Sequence, residues 1–352
     1  MTRTIRIGII GTGFGAAHVG FFRKVPGVEV TAIASAQRAR AEAAAERLSI
    51  PAATDDYRDL LRQDIDAVVI VTPPHLHAPM TLDAVAAGKH VLCEKPMSSS
   101  LSDARRMRDA AVEAGVVHMM NHQMRFTPPY ARAAELVEDG YIGRLAVADA
   151  TVTMNPVEYL RLPFWSTSKA GWFTDAGQAG GLLASSAGPH IVDLMRWIGG
   201  PIARVAARTV VSQPSVALPD GSTVEITADD GFLALLEYAS GAIGAVRGIP
   251  VTHRAGIDWT LDLHGSRGSL EVRGDTLRGA TAGDDAVNPI DLESDARDDR
   301  AEIATRFIDA IRSGGPSPRP NFTDGVAAQA ALDACLQAAH SNQWVAVEDD
   351  NP

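Results

Sequence analysis

The chain has 352 residues, 46% hydrophobic and 21% charged, which is enough apolar material for one large core or two ordinary ones and too much for a disordered chain. A formal charge of −11 with no basic run to offset it disfavours nucleic acid and anionic membrane surfaces as partners. Cys93 and Cys335 are the only cysteines, which excludes a disulfide framework; with no signal-peptide pattern and no apolar run of membrane-spanning length, the sequence predicts a soluble cytoplasmic protein.

In chain order, the first third alternates β-rich runs with Ala-rich helical stretches. Ile5–Ile10, Val28–Ala34, Ala67–Val71 and Val91–Cys93 read as strands. "AQRARAEAAAERL" and "PMTLDAVAAGK" read as helices, and "SLSDARRMRDAAVEAG" as another, with Ser102 as its cap and Gly115 as its stop. Strands that are apolar throughout and joined by helices predict a parallel sheet covered on both faces. After "VVHMM" the texture changes. "RLAVADATVTM", "STVEITA", "GFLALLEYASGAIGAVRGI" and "GIDWTLDLHGSRGSLEVRG" read as strands joined by turns such as Ser240-Gly241. "GPHIVDLMRWIGG" is a helix with Pro189 in its first turn. Asp275 to Arg300 is acidic and Gly-rich and reads as a surface excursion. "EIATRFIDAIRSG" and "GVAAQAALDACLQAAHS" are two late helices. The fold class is therefore α/β: a doubly wound parallel Rossmann-type sheet over residues 1–122, then an α+β domain over 123–352 with a large, mainly antiparallel open sheet. The last helices are placed to pack back on the first domain.

"IGIIGTGFGAAHVGFF" sets Gly11, Gly13 and Ala16 in G-x-G-x-x-A spacing between a strand and a helix. Gly11 allows the tight turn, Gly13 lets a pyrophosphate approach the backbone, and Ala16 keeps helix and strand close. The helix N-terminus offers free N–H groups to the phosphates, so Gly11, Thr12, Gly13, Phe14 and Gly15 form the expected dinucleotide cradle. The second strand ends at Ser35, where a carboxylate would otherwise hold the ribose 2′-OH. Without that carboxylate, Ser35 and Arg38 could bind a 2′-phosphate, so NADP is favoured over NAD.

Together with this loop, "VTPPHLHAPM", "AAGKHVLCEKPM", "HQMRFTPPY" and "GPHIVDL" occur in the order seen in the glucose–fructose oxidoreductase / inositol dehydrogenase / MocA family, which the chain resembles over nearly its whole length. The resemblance implies hydride exchange between a nicotinamide cofactor and a sugar, cyclitol or related polyhydroxy compound. It also implies a homodimer or homotetramer formed through the C-terminal sheet. It places Glu94 and Lys95 at the cofactor, Lys95 beside both nicotinamide and substrate, with Pro96 after a cis bond. Thr72, Pro73 and His77 line the cofactor, and Gln123 approaches the nicotinamide. Strand ends at the carboxyl edge of a parallel sheet are where ligands bind, and a partly desolvated lysine can trade a proton with a hydroxyl. His75 and His77 lack the acid or cysteine cluster that a metal site needs, so no metal is expected.

The same resemblance leads to "GGLLASSAGPHIVDL" as the second half of the site. His190 passes protons there, but Ser186 stands where relatives commonly carry aspartate, and Asp193 lies one turn on. A hydroxyl can hydrogen-bond a substrate but cannot stabilise an imidazolium by charge. Between the domains, "YLRLPFWSTSKAGWFTDAGQAGG" offers Tyr159, Arg161, Trp165, Trp172 and Asp175, with Trp165 and Trp172 suited to the C–H face of a sugar ring. The catalytic residues expected are Lys95 and His190, with Trp165, Trp172 and Ser186 completing the substrate side. Two other readings stay open: a non-catalytic regulator that senses dinucleotide or sugar, and a sugar-processing enzyme that oxidises transiently around an elimination.

Overall fold

The computed structural model describes residues 3–155, 158, 171–178, 180–217, 221–251, 253, 256–292 and 299–348. They form two compact units, residues 1–123 with 298–326 and residues 124–297 with 327–352. Among the described residues no helix is long and apolar enough to cross a membrane.

In the first unit, β1 (Ile5–Ile10), α1 (Gly15–Arg23), β2 (Val28–Ala34), α2 (Arg38–Leu48), β3 (Ala52–Thr54), α3 (Tyr57–Leu61), β4 (Ala67–Ile70), α4 (His77–Ala86), β5 (His90–Cys93), α5 (Leu101–Glu113) and β6 (His118–Met120) alternate. The six strands are all parallel in the order β3-β2-β1-β4-β5-β6. Ile7, Ile9, Val68, Val69 and Ile70 are fully buried, as a strand covered on both faces requires. Because every strand runs the same way, the loops that follow β1, β4, β5 and β6 all leave one edge. β3 escaped the sequence reading because three residues carry too little periodicity to stand out. Ser100, rather than Ser102, caps α5 by accepting the Asp103 N–H at 3.2 Å.

The helix Asp299–Ser313 closes this unit from far along the chain. Phe307 meets Phe22 of α1 edge to face at 6.4 Å, and the Arg312 guanidinium donates to the Pro26 carbonyl. Phe322 stacks on His118 at 4.8 Å and donates its N–H to His118 Nδ1 at 3.2 Å.

The second unit opens with α6 (Pro128–Glu138), which the sequence reading did not anticipate, and β7 (Leu145–Met154). The short α7 (Gly171–Thr174), a π-helical turn (Leu182–Ser186) and α8 (Ala187–Gly199) follow. Then come β8 (Ile202–Val210), β9 (Ser215–Ala217), β10 (Thr223–Glu225), β11 (Gly231–Tyr238), β12 (Ile243–Pro250), β13 (Ile257–Gly265), β14 (Gly268–Arg273), β15 (Thr276–Thr281), β16 (Asn288–Ile290) and β17 (Val345–Ala346). Nine of these strands form one sheet, β16-β15-β14-β13-β7-β12-β11-β8-β17, antiparallel except where β7 pairs with β12. Its inner face carries Ala148, Ala150, Val152, Ala234 and Val246 and packs on α8 through Ile191, Leu194 and Met195.

The surface excursion expected from Asp275 onward is corrected here: Thr276–Thr281 and Asn288–Ile290 extend the sheet. The signal was faint because little besides Leu277 is buried in that stretch. Gly279 leaves room for Ile290, whose Cδ1 lies 2.6 Å from where a Cβ would stand. The outer face of the sheet stays open and mixes Leu233 and Leu235, both 46% exposed, and Ile243, 55% exposed, with the charged side chains of Arg204, Arg208, Glu237 and Arg247.

Candidate active site

The glycine loop sits at the carboxyl end of β1. Gly11 has φ +117°, and a Cβ there would lie 2.2 Å from the Val71 carbonyl oxygen, so both conformation and space demand glycine. At Gly13, by contrast, a Cβ would meet no protein atom within 4 Å. Nothing inside the protein requires a glycine at that position, whereas a phosphate drawn against the backbone does. The contact between helix and strand is made at Gly15, not Ala16 as the spacing suggested. A Cβ on Gly15 would stand 2.9 Å from Ile9 Cγ2, while Ala16 is only partly buried. No acidic residue occupies the first turn of α1, so its positive end is open to an anion.

Ser35 follows β2 and gives its N–H to the Thr54 carbonyl at 3.1 Å. Arg38 lies nearby on α2, but its guanidinium is held by Glu42, Nε to Oε1 2.9 Å, and by Asp55 at 3.6 Å.

At the end of β5 the chain turns Glu94 inward. This carboxylate is 7% exposed and engages His18 Nε2 at 2.8 Å; it also accepts the Asn121 amide at 2.5 Å and the Lys95 N–H at 3.2 Å. Burial alone would raise its pKa. The His18 hydrogen bond, the His18 and Lys95 charges and the Asn121 amide together outweigh that and hold it at about 2. Glu94 thus joins α1, β5 and the segment after β6, and it fixes the backbone from which the half-buried Lys95 side chain leaves. Glu94 was expected to touch the cofactor; its partners instead fit a positioning role. The Lys95–Pro96 bond is cis.

His77 is likewise inward. It is fully buried, with Nδ1 2.9 Å from the Pro96 carbonyl and Nε2 2.8 Å from the Thr72 carbonyl. Burial pushes its pKa down against the pull of those carbonyls and the Glu94 charge. His77 therefore ties the loop after β4, where Thr72 and Pro73 stand, to the loop after β5, and both its nitrogens face protein atoms rather than a ligand or metal. Gln123 is 8% exposed, and its buried Oε1 has no hydrogen-bond partner among the described residues. Such an orphan acceptor suits the N–H of a carboxamide. Gly13 and Gln123 both fit a nicotinamide dinucleotide.

In the second unit, Ser186 is 8% exposed and closes the π-helical turn; His190 lies one turn further on, with its ring edge to face with Trp259 at 6.2 Å. Asp193, one turn on from His190, forms a buried bidentate pair with Arg125, Nε to Oδ2 2.8 Å and Nη2 to Oδ1 2.6 Å; Arg125 also lies over the Trp197 ring. Trp172 is half-buried against Phe173. Tyr159, Arg161 and Trp165 lie outside the described residues. Of the residues that the sequence reading missed, His18 left a trace, a polar side chain on the buried Gly15–Val19–Phe22 face of α1. Asn121 left none, because its role depends on β5 and β6 being neighbours.

A six-stranded parallel sheet in this order, with an open glycine cradle at the head of its first helix, defines a Rossmann-class dinucleotide-binding protein. The family described as "Oxidoreductase family, NAD-binding Rossmann fold" matches residues 5–122, and the "GFO/IDH/MocA C-terminal domain" matches residues 130–271. The chain belongs to the Gfo/Idh/MocA family of oxidoreductases. It is 29% identical to levoglucosan dehydrogenase of Pseudarthrobacter phenanthrenivorans over 98% of each chain. It is also 29% identical to 1,5-anhydro-D-fructose reductase of Ensifer adhaerens, over 97% of this chain and 98% of that one. Inositol 2-dehydrogenase of Salmonella typhimurium is 27% identical over 98% of this chain and 97% of its own. The solved structure of levoglucosan dehydrogenase in complex with NADH and levoglucosan matches with a TM-score of 0.86 at 27% identity, covering 99% of this chain and all of that one. The chain is an enzyme of this dehydrogenase and reductase class.

Proposed function

We propose that the protein moves hydride between nicotinamide and a carbinol carbon of a cyclic polyhydroxy compound, an anhydrosugar, sugar or cyclitol, with Lys95 taking the hydroxyl proton and His190 assisting. The observation that carries this reading is the shared edge of the parallel sheet. The open Gly13 cradle, Thr72 and Pro73, Lys95 and the orphan acceptor of Gln123 all follow strands that end there. When bound, the nicotinamide supplies the hydride acceptor or donor. Glu94 holds the Lys95 backbone through its carboxylate, and the part-desolvated amine is suited to exchange a proton. A polar cleft that excludes water would fix the reacting carbon.

The sequence favoured NADP through Ser35 and Arg38. The pairing of Arg38 with Glu42 and Asp55 supports NAD instead, because a 2′-phosphate there would face two carboxylates already engaging the guanidinium. NADH in the related levoglucosan dehydrogenase structure supports the same choice. The open outer face with Leu233, Leu235 and Ile243 suits a second copy of the chain and supports a homo-oligomer built through the sheet.

Fluorescence titration with NADH and NADPH, followed by turnover on levoglucosan, 1,5-anhydrofructose and myo-inositol, tests the reading. Tighter NADH binding and net cofactor reduction or oxidation on one of these compounds is expected. A regulator would bind the dinucleotide and turn over none of them. A transient oxidiser would release product without net change in the cofactor.

A further inference from the structure

The helix that carries Ser186 and His190 begins in an unusual way. Gly188 and Pro189 fall within it, and Pro189 has no N–H to give to the turn before while its ring crowds the carbonyl four residues back. The chain widens there into the π-helical turn Leu182–Ser186, with the Leu183 carbonyl oxygen 1.8 Å from where a Cβ on residue 188 would be, space that only glycine leaves. Ser186, at the junction, sits at φ −104°, ψ −92°, off the helical backbone. π-Helical turns are concentrated at functional sites because they re-aim the side chains around them.

The first N–H groups of such a helix have no partner within it. Here the first two come to one residue. Leu182 N–H donates to the Asp229 carbonyl at 2.8 Å, and Leu183 N–H donates to Asp229 Oδ2 at 2.7 Å. The residue at the usual capping position, Gly181, has φ +114° and no side chain; a Cβ there would lie 2.5 Å from Asp229 Oδ1. The Asp229 carboxylate thus occupies the place where a local cap would sit. The same loop holds the Trp172 element, because Thr227 and Ala228 give their N–H groups to the Thr174 carbonyl at 2.9 and 3.0 Å. Asp230 turns away to the N–H groups of Ser212 and Gln213.

We propose that Asp229 is a positioning residue of the active site: it caps the π-helical turn from outside and so fixes the height at which Ser186 and His190 are presented, while its loop ties the Trp172 helix to the same point. The proposal rests on the role given to His190 above. Burial raises the Asp229 carboxyl to about 6, with the neighbouring Asp230 adding to the rise and the backbone N–H groups opposing it, so the cap is an anion at neutral pH.

The test is a double-mutant cycle on the full chain, with NADH affinity and turnover read separately. Asp229→Ala should lower kcat about 10- to 100-fold, as small displacements of reacting groups do. NADH affinity should stay within about twofold of the parent, and Asp229→Asn, which keeps an acceptor oxygen, should recover much of the loss. In a His190→Ala background Asp229→Ala should add no further loss, because a residue acting through another loses its effect when that other is gone. Parental kcat in Asp229→Ala, or the same fold-loss with and without His190, overturns the proposal. If Asp229→Ala does not fold, Asp229→Asn is carried through the same cycle, and an effect independent of His190 again overturns it. Parental turnover in His190→Ala alone would instead sink the role of His190 on which the proposal stands.

Discussion

The two units hold their candidate site residues by different means. In the first, backbone does most of the work: parallel strands deliver four loops to one edge, and a buried network of His18, Glu94 and Asn121 anchors two of them. In the second, a helix distorted at Gly188-Pro189 is held in place by one carboxylate from a distant loop, and its charged neighbours pair among themselves as Arg125 and Asp193. The backbone of the first follows from a local pattern repeated along the chain, although its buried His18–Glu94 pair spans 76 positions. The second depends on contacts between residues some 40 to 70 positions apart.

Breaking one buried pair in each unit gives the largest contrast. Glu94→Ala strands His18 and Asn121 and should cost about 3–5 kcal/mol in urea unfolding, with lost NADH affinity because α1 and the Lys95 backbone lose their common anchor. Arg125→Ala leaves Asp193 buried and alone, with a similar stability cost, yet NADH affinity in the folded protein should hold. Equal effects of both variants on NADH would erase the distinction between the units.

Acid should also separate them, with opposite sign. Burial lowers the His118 pKa from 6.5 to about 4, so its contribution is complete above pH 6.5 and is lost as pH falls toward 4, by roughly 3 kcal/mol. Asp229 is raised from 3.8 to about 6, so ionisation works against the fold above pH 6, and the second unit gains stability as pH falls through the same window. Hydrogen exchange at pH 7.5 and 4.5 should show protection falling around β6 and rising around Leu182 and Leu183. His118→Asn, whose Oδ1 can take the Phe322 N–H, should remove the acid-side loss.

The smallest stability effect is expected at Gly13→Ala, because no protein atom lies near the added methyl, while NADH affinity should fall at least tenfold. Gly11→Ala, pressed against the Val71 carbonyl, should lose stability and affinity together. Unaltered NADH binding in Gly13→Ala would place the pyrophosphate elsewhere.

The sequence showed the first unit well because each signal there is local. The glycine loop, the apolar strands and the turn into Glu94-Lys95 are all readable within about a dozen residues. Even so, the inward turns of Glu94 and His77 were hidden, since whether a side chain at a strand end faces ligand or core is decided by its neighbours in the sheet. Ala16 was chosen for the close contact by motif spacing, and the structure moved that role one residue back, because the helix already begins at Gly15. In the second unit His190 was legible, but Asp229 was not: nothing in "ITADDGF" marks one aspartate as the cap of a helix more than forty residues earlier. The strands after Asp275 were obscured by exposed, polar outward positions, which is what an edge strand carries.

The central claim is that the Lys95 amine trades the substrate's hydroxyl proton while taking no part in holding the dinucleotide. Lys95→Ala, measured by NADH titration and by turnover on the same preparation, addresses it most directly. Unchanged NADH affinity with turnover reduced about 10²- to 10⁴-fold is the predicted result. Parental turnover in a variant that still binds NADH would contradict the account.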